Sequence, residues 1–498
     1  MQKLPVGWTD TSVGEVFEFA YGKGLVKSSR KVGGQFPVYG SSGVVGYHDE
    51  FLVKGPKIVV GRKGAAGSVH LCPENCWPID TTYFVNPKKE VNVKFAYYFL
   101  KNLRLHQFET STAIPGLNRD DAYRLDFWLP PIKEQHRIVA KIEELFSELD
   151  KGIESLKTAR EQLKVYRQAV LKHAFEGKLT AQWREENKDK LESPEQLLAR
   201  IQQERDVRYE QQLHDWQAAV SAWERSEDGS KKPTKPIAPK TLPNLTSNDL
   251  DRLGDLPSGW IWVKLGNLSS KITDGEHFRP KVQEQGIYFL SAKDVRDSGV
   301  SLDAPLYVDK ETALKARLRC DPKKGDILIV SRGATVGRMC VVDTDELFCL
   351  LGSVILVKAT SCIESLYLCS ALKSPAISRA VVSSSGATAQ QAIYLRDIQH
   401  VAIPVCGELE QLEIVASISQ QMSTIDYLYQ EIENQQAMSE ILRHAILKKA
   451  FSGQLVAQDC SDEPSTTILE RIRKETSVEM SGKKKRKSIG DQTQSRDN

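Results

Sequence analysis

Apolar residues recur every seven positions along one stretch of the chain, and that stretch occurs twice. Ile142, Leu149, Leu156, Leu163 and Val170 make the seam of the first copy, residues 134–182. Ile418, Ile425, Ile432 and Ile446 make that of the second, residues 410–458, where Ser439 interrupts it. Such a recurrence is the stripe of a long helix that pairs with another helix. The copies align without a gap. Both open on Glu-Gln (Glu134-Gln135, Glu410-Gln411), and both close on Ala-Phe, Gly, Leu and Ala-Gln (Ala174-Phe175, Gly177, Leu179, Ala181-Gln182; Ala450-Phe451, Gly453, Leu455, Ala457-Gln458). Pro130-Pro131 is placed to start the first helix, and Gly177 to stop it near Ala174 in the left-handed conformation. About forty residues at about 1.5 Å each form a rod of about 60 Å. A small domain cannot bury such a rod, so the second copy is its expected partner.

Elsewhere the periodicity is shorter. Leu4-Pro5-Val6-Gly7-Trp8 recurs as Leu256-Pro257-Ser258-Gly259-Trp260, and each opens a stretch of brief β runs broken by glycine. In the first these are Val13 to Phe19, Phe36 to Tyr39, Lys57 to Gly61, Ser68 to Leu71 and Thr82 to Asn86, followed by a helical patch at Phe95 to Phe108. In the second the clearest strand is Asp326 to Val330. It leads into Ser331 to Arg338, which corresponds to Gly61 to Ser68, and apart from this skeleton the two stretches are dissimilar. The resulting division is a head at 1–130, a helix at 131–182, a charged extension and linker at 183–255, a second head at 256–403, a second helix at 404–458 and a tail at 459–498. Within the extension, Leu213, Trp216, Val220 and Trp223 share a helix face expected to dock on something apolar, either its own protein or a partner. Gly229 to Pro243 reads as a proline-rich basic linker. The tail, with Lys483-Lys484-Lys485-Arg486-Lys487, is expected to be disordered.

Composition narrows the function. A chain of 498 residues carrying a formal charge of +3 is several domains long and too weakly charged to announce nucleic acid by itself. No long apolar run and no signal-peptide layout is present, so the expected location is the cytoplasm. Nine scattered cysteines make no disulfide framework. Cys72 and Cys76 have no second pair or histidine at ligand spacing to complete a metal site. Phosphate-cradling, metalloprotease, nucleophile-elbow and amino-methyltransferase motifs are absent, the only Pro-Pro lying in Leu129-Pro130-Pro131-Ile132. Recognition remains. Arg62, Lys63, Arg332 and Arg338 lie in glycine loops after strands, where a backbone can approach phosphate and arginine can meet guanine edges. Both heads are modestly basic.

At this point the sequence resembles the specificity subunit of a type I restriction-modification system. The resemblance is carried by the two Leu-Pro-x-Gly-Trp openings, Tyr39-Gly40-Ser41-Ser42-Gly43, Val60-Gly61-Arg62-Lys63-Gly64, Asp274-Gly275-Glu276-His277, Lys293-Asp294-Val295, Gly325-Asp326-Ile327-Leu328 and both Ala-Phe-x-Gly-x-Leu helix ends. It implies two α/β target recognition domains joined by a long antiparallel two-helix coiled coil, in a pseudo-twofold internal repeat. It implies no catalysis in this chain. The partners would be double-stranded DNA, two methyltransferase subunits and endonuclease/translocase subunits, and S-adenosylmethionine, ATP and Mg would be used by those subunits. Lys23, Tyr39, Ser41, Ser42, Arg62 and Lys63 in the first head, and Asp274, His277, Arg279, Lys293, Arg332 and Arg338 in the second, become DNA-binding candidates. One departure is the approach to the second helix, Ile403 to Glu408, which lacks the Pro-Pro turn, so the two helix entries are expected to differ in angle. The alternative is a non-catalytic coiled-coil scaffold with protein-binding heads, which leaves the divergence of the heads unexplained. A stand-alone DNA enzyme would need the missing motifs.

Overall fold

The computed structural model describes residues 4–108, 116–225, 231–238, 241–278, 280–383 and 392–478. The chain divides into two compact units, Met1–Thr158 with Ile432–Asn498, and Ala159–Glu431. In the first unit β1 (Thr9–Ser12) passes through a helical turn, α1 (Val13–Val16), into β2 (Phe17–Tyr21). The single strand expected over Val13 to Phe19 is therefore broken, because Val13 and Val16, three residues apart, are both buried on one side of that turn. There follow β3 (Phe36–Gly40), β4 (Gly43–His48), β5 (Lys57–Gly61), β6 (Val69–Cys72), β7 (Trp77–Pro78), β8 (Thr82–Pro87), α2 (Val93–Asn102), α3 (Arg119–Tyr123) and β9 (Asp126–Leu129). The long helix α4 (Ile132–Phe175) comes next, then α5 (Ala181–Glu186), α6 (Pro194–Arg225) and α7 (Ser247–Leu250).

The second head contains β10 (Ile261–Lys264), β11 (Ser269–Asp274), β12 (Ile287–Leu290), β13 (Val295–Arg296), β14 (Gly299–Val300), β15 (Leu306–Val308), α8 (Lys310–Arg319), β16 (Ile327–Val330), β17 (Met339–Val341), β18 (Phe348–Leu350), β19 (Val354–Ala359), α9 (Ser365–Lys373), α10 (Pro375–Ser383), α11 (Leu395–Ile398) and β20 (Ala402–Val405). Helix α12 (Glu408–Phe451) follows. Strand β20 therefore occupies the first residues that the sequence assigns to the second helix.

Both heads have one topology, which their sequences hide. An antiparallel sheet of order β2-β8-β5-β6 in the first is matched by β11-β19-β16-β17 in the second. A three-stranded sheet, β4-β3-β7, is matched by β15-β12-β18, each with one antiparallel and one parallel neighbour. The pair β1-β9 is matched by β10-β20. The expected dissimilarity thus concerns side chains and not the path of the chain. Short buried strands accept many apolar residues, whereas their hydrogen-bonded order is fixed. Among the described residues, the hairpin β13–β14 and helix α8 have no counterpart in the first head.

Helices α4 and α12 start and stop at equivalent residues of the repeat, each 44 residues long, although Pro130-Pro131 precedes one and Cys406-Gly407 the other. The difference expected from the missing Pro-Pro turn does not extend to where the helices begin. Gly177 and Gly453 adopt φ of +67° and +69° just past the ends, as a left-handed stop requires. The helices pair antiparallel within each unit. In the first, Asp150 meets Arg443, whose guanidinium lies 4.9 Å from the Phe146 ring. In the second, Arg167 meets Asp426 and the Tyr429 hydroxyl donates to the Arg160 carbonyl. Along the seam Ile142, Val170, Ile418, Ile425 and Ile432 are buried, and Leu149, Leu156, Leu163 and Ile446 are half-buried. Ser439 is also buried, its hydroxyl returned to the Gln435 carbonyl at 2.9 Å, so the polar interruption satisfies itself within the helix.

The repeated motifs make a joint between each head and its helices. Gln135 donates to the Pro130 carbonyl (3.0 Å) and accepts from the Asn92 amide (2.8 Å), at the start of α2. Gln411 donates to the Cys406 carbonyl (2.8 Å) and accepts from the Glu364 amide (2.9 Å), at the start of α9. Glu410 receives the Trp260 indole (2.9 Å), the Thr180 hydroxyl (2.7 Å) and Arg184. Glu134 receives Gln458 at 3.4 Å, and burial holds its carboxyl above the usual carboxylate value. The closing phenylalanines pack on α9 and α2: Phe175 meets Tyr367 at 5.3 Å, and Phe451 meets Phe95 and Phe99 at 5.4 Å.

Two segments differ from the sequence expectation. After Gln458 the chain does not dissolve into a tail. Residues 465–478 form a helix whose Ile468, Leu469 and Ile472 are buried, Ile468 and Ile472 in the core of the first head. Three apolar residues among many polar ones suffice because they fall on one face. Arg471 pairs with Glu463 and Glu90, as Arg200 of α6 pairs with Glu192 and Glu408 in the second unit. The repeat thus extends into these two clamping helices. Lys483 to Lys487 lie outside the described residues. The apolar face of α6 finds its cover in the linker: Trp216 donates to the Pro233 carbonyl at 3.0 Å, and Lys235 and Lys232 sit over the rings of Trp216 and Trp223. No helix among the described residues is long and apolar enough to cross a membrane.

Candidate nucleic-acid interface

The glycine loops that follow β5 and β16 are built alike. In the first head the Gly67 amide donates to the Gly61 carbonyl and the Gly61 amide to the Ser68 carbonyl, both at 2.8 Å. In the second, the Gly337 amide donates to the Val330 carbonyl (2.9 Å) and the Val330 amide to the Arg338 carbonyl (2.8 Å). Gly64, Gly67, Gly333 and Gly337 all take positive φ, which keeps the turns tight. A crossing segment pairs with each loop. Lys63 bridges Gly116 and Arg332 bridges Ala392; Leu117 donates to the Arg62 carbonyl and Ile393 to that of Ser331, both at 2.9 Å. These bonds correct the residue-by-residue alignment of the loops. The second loop is one residue longer, so Arg332 stands where Lys63 stands, and Ser331 where Arg62 stands.

In the first head the cations gather around the end of β2. The guanidinium of Arg62 lies 5.2 Å from the Tyr21 ring, and Arg119 lies 5.6 Å from the rings of both Tyr21 and Tyr123. Neither Nε finds an acceptor among the described residues. Arg119 is not among the sequence candidates. It is placed by α3, whose first turn is capped by Asn118 accepting from the Asp120 amide at 2.9 Å, a signal present in Asn118-Arg119-Asp120. Lys63 and Ser42 are exposed and Ser41 is half-buried beside them, its carbonyl accepting from Ser68 and from His70. Lys23 is exposed, and its carbonyl accepts from the Trp77 indole at 2.9 Å. Tyr39 does not belong to this surface. Its ring is buried against Val59, Cys72 and Cys76, and burial pushes its phenol well above the usual value. Alternation along β3 turns it inward, which the motif alone does not reveal.

In the second head the equivalent strand end carries Asp274 instead of tyrosine. Each is the last residue before a glycine whose amide donates to β8 or β19: Gly22 to Thr82 at 3.1 Å, Gly275 to Val354 at 3.2 Å. Asp274, His277, Arg319, Ser331, Arg332, Tyr394 and Arg396 line a cleft of about 420 Å³. Arg319, from the end of α8, pairs with Asp274, and its Nη2 lies 3.1 Å from His277 Nε2. Arg396 stacks on Tyr394 at 5.3 Å. Sequence reasoning misses Arg319 and Arg396 because no motif surrounds them. Lys293 is exposed but absent from the lining of this cleft, its ammonium donating to the Ala304 carbonyl at 3.0 Å. Arg338 is half-buried at the loop's far end, and Arg279 lies outside the described residues.

No cluster of three or more His, Cys, Asp or Glu side chains among the described residues is arranged to hold a metal. The arrangement offers cations and hydrogen-bond donors at one place in a twice-used fold, suited to an anionic polymer with acceptor-rich edges.

Residues 5–159 match the type I restriction modification DNA specificity domain. The type I restriction enzyme EcoDI specificity subunit of Escherichia coli is 22% identical over 97% of this chain and 99% of its own length. The EcoBI specificity subunit of Escherichia coli is 25% identical over 72% of this chain and 66% of its own length. The StySPI specificity subunit of Salmonella potsdam is 36% identical over 22% of this chain and 24% of its own length. A chain solved in work on complex assembly and conformational transition of the type I R-M system shares the fold, with a TM-score of 0.58 and 19% identity over 91% of this chain and 100% of that one. With the matched domain at its start, a near full-length relative and one head topology used twice, the chain is similar to the type I restriction-modification specificity subunits.

Proposed function

We propose that the protein is the DNA-recognition subunit of a type I restriction-modification complex, in which each head reads one half of a bipartite duplex site. The observation that carries this reading is the divergence at one equivalent place. Both heads keep the same strands, glycine loop and crossing segment, yet the strand end holds Tyr21 with Arg62 and Arg119 in one and Asp274 with Arg319 in the other. A scaffold that bound one protein twice would have no cause to vary the charges at this place while keeping the chain path around it. Exposed Lys23, Lys63 and Arg332 suit phosphate contacts, which position without specifying, and the arginines suit base edges.

Helices α4 and α12 hold the spacing and dock the partners. Leu409, Leu412, Leu428, Met438, Ile441 and Leu442 of α12 are exposed, an excess of bare apolar surface that suits protein partners. Two adenine-N6 methyltransferase subunits would seat on the paired helices and endonuclease subunits would join through them. S-adenosylmethionine, ATP and Mg are their cofactors, since the specificity subunit is not itself an enzyme.

Insertion of four residues after Thr158 in α4 and after Glu431 in α12 adds about one helical turn, roughly 6 Å. With base pairs about 3.4 Å apart, the spacer of the methylated sequence should lengthen by about one or two base pairs while both half-sites persist. Sequencing of modified adenines reads this directly. An unchanged spacer refutes the ruler, and absence of any sequence-selective methylation by the assembled wild-type complex favours the scaffold.

A further inference from the structure

We propose that Arg319 reads a guanine in the half-site of the second head, held in reading position by Asp274; this rests on the DNA-reading role proposed above. Asp274 closes β11 with only 13% of its side chain exposed, so its carboxylate is anchored in the sheet and not free to roam. Arg319 ends α8 with its side chain 47% exposed at the cleft. Arg319 Nη2 donates to Asp274 Oδ1, and His277 Nε2 lies 3.2 Å from Asp274 Oδ2, where the imidazole donates to the same carboxylate. Nη1 and Nε have no acceptor among the described residues. With one Nη2 hydrogen committed to Asp274, the other lies beside a neighbouring N–H on the free edge of the guanidinium plane, a two-donor fork in a set direction, so little freedom remains to be lost on binding.

The chemistry of the cleft selects among ligands. A phosphate at Arg319 would face the carboxylate of Asp274, and the exposed Arg332 can meet phosphate without such a tether. A base edge carries no charge. Guanine offers two acceptors, O6 and N7, in the major groove; adenine pairs an acceptor with a donor, and cytosine presents a donor that arginine cannot accept. An arginine fork therefore fits guanine. In the first head, Arg62 and Arg119 rest on the Tyr21 ring, Arg119 with its own neighbour Asp120 at 3.7 Å and not with a carboxylate of the strand end, and among the described residues α8 has no counterpart there, so the device belongs to one half-site only.

The bland account is that the Asp274–Arg319 pair merely ties α8 to the sheet. Modified-adenine sequencing in cells carrying the chain with its methyltransferase subunits separates the two, using Arg319→Lys, Arg319→Ala and Asp274→Asn. Lysine keeps a charge for the tie and loses the fork. We expect the wild-type half-site to contain a G·C pair at which both Arg319 variants lose roughly tenfold to hundredfold discrimination, with Asp274→Asn losing less. The other positions, the other half-site and the spacer should stay. Discrimination retained at every position in Arg319→Lys, or lost evenly across the half-site, overturns the assignment. Should Arg319→Ala fail to fold, as a thermal melt would show, the lysine variant decides. A wild-type complex that marks no bipartite sequence would instead defeat the DNA-reading role itself.

Discussion

Replacing Gln411 by alanine should loosen the second unit at one identifiable place. Gln411 is fully buried. Its amide nitrogen donates to the Cys406 carbonyl at 2.8 Å and lies 3.4 Å from that of Cys362, while its oxygen accepts from the Glu364 amide at 2.9 Å. Truncation leaves the Glu364 N–H and the Cys406 carbonyl without partners, at about 1 to 3 kcal/mol each. The space vacated by the amide adds about 1 kcal/mol more, for about 3 to 7 kcal/mol in all. Against the roughly 5 to 15 kcal/mol that holds a domain folded, this is a large share. Urea unfolding followed by hydrogen exchange should show faster exchange across Ser365–Lys373 and the start of α12, with Val93–Asn102 unaffected. Gln135→Ala should give the mirror result, because the Asn92 amide and the Pro130 carbonyl bond to the Gln135 side chain in the same way. A loss below about 1 kcal/mol, given the magnitudes expected for buried unsatisfied groups, or equal loosening of both units by either variant, would refute the view that these glutamines are local joints.

Ending the chain at Pro464 should destabilise the first unit by several kcal/mol in urea, since Ile468, Leu469 and Ile472 each contribute about 1.5 to 3 kcal/mol when buried; an unchanged midpoint would mean that the clamp is ornamental. Glu134→Gln should stabilise the first unit at neutral pH. The Glu134 pKa is raised chiefly by burial, so the folded state holds a proton more tightly than the unfolded one. Stability then falls as pH rises above the ordinary value of 4.5, and melting curves of the variant should lose that slope. Substituting Leu156 and Ile432 together by aspartate puts charge on the seam of the first unit, and methylation at both half-sites should fail together with assembly; a pair that assembled and methylated normally would show that the seam is not the contact.

The long helices are legible because a seven-residue seam bounded by prolines and glycines leaves few alternatives, and α4 begins and ends within two residues of where those signals lie. The clamping helices are harder. Residues 465–478 carry too few apolar positions to show a periodicity, and only the core that receives Ile468 and Ile472 makes sense of them. In the heads the glycine loops can be located from the sequence, along with several of the exposed or half-exposed polar residues around them, but nothing in it brings Arg119 or Arg319 to them. Those arginines come from helices distant in sequence, and their use depends on a fold that the two heads share almost without shared residues. Tyr39 fails in the opposite way, a motif residue that strand alternation turns inward.

That division has a physical cause that also bears on function. The joints demand particular groups: a glutamine that donates to one backbone carbonyl and accepts from one amide, a carboxylate that meets an indole, a glycine where a side chain would strike Pro257 or Pro5. Their loss costs stability wherever the protein binds, so both copies keep them. The strand ends at Tyr21 and Asp274 open on solvent or a cleft, and the side chains they meet are not repeated between the heads, which leaves them free to follow a ligand. A protein that must keep two heads at a set spacing while each answers to a different sequence would be constrained at the joints and free at the strand ends, and the two halves of this chain differ in that pattern.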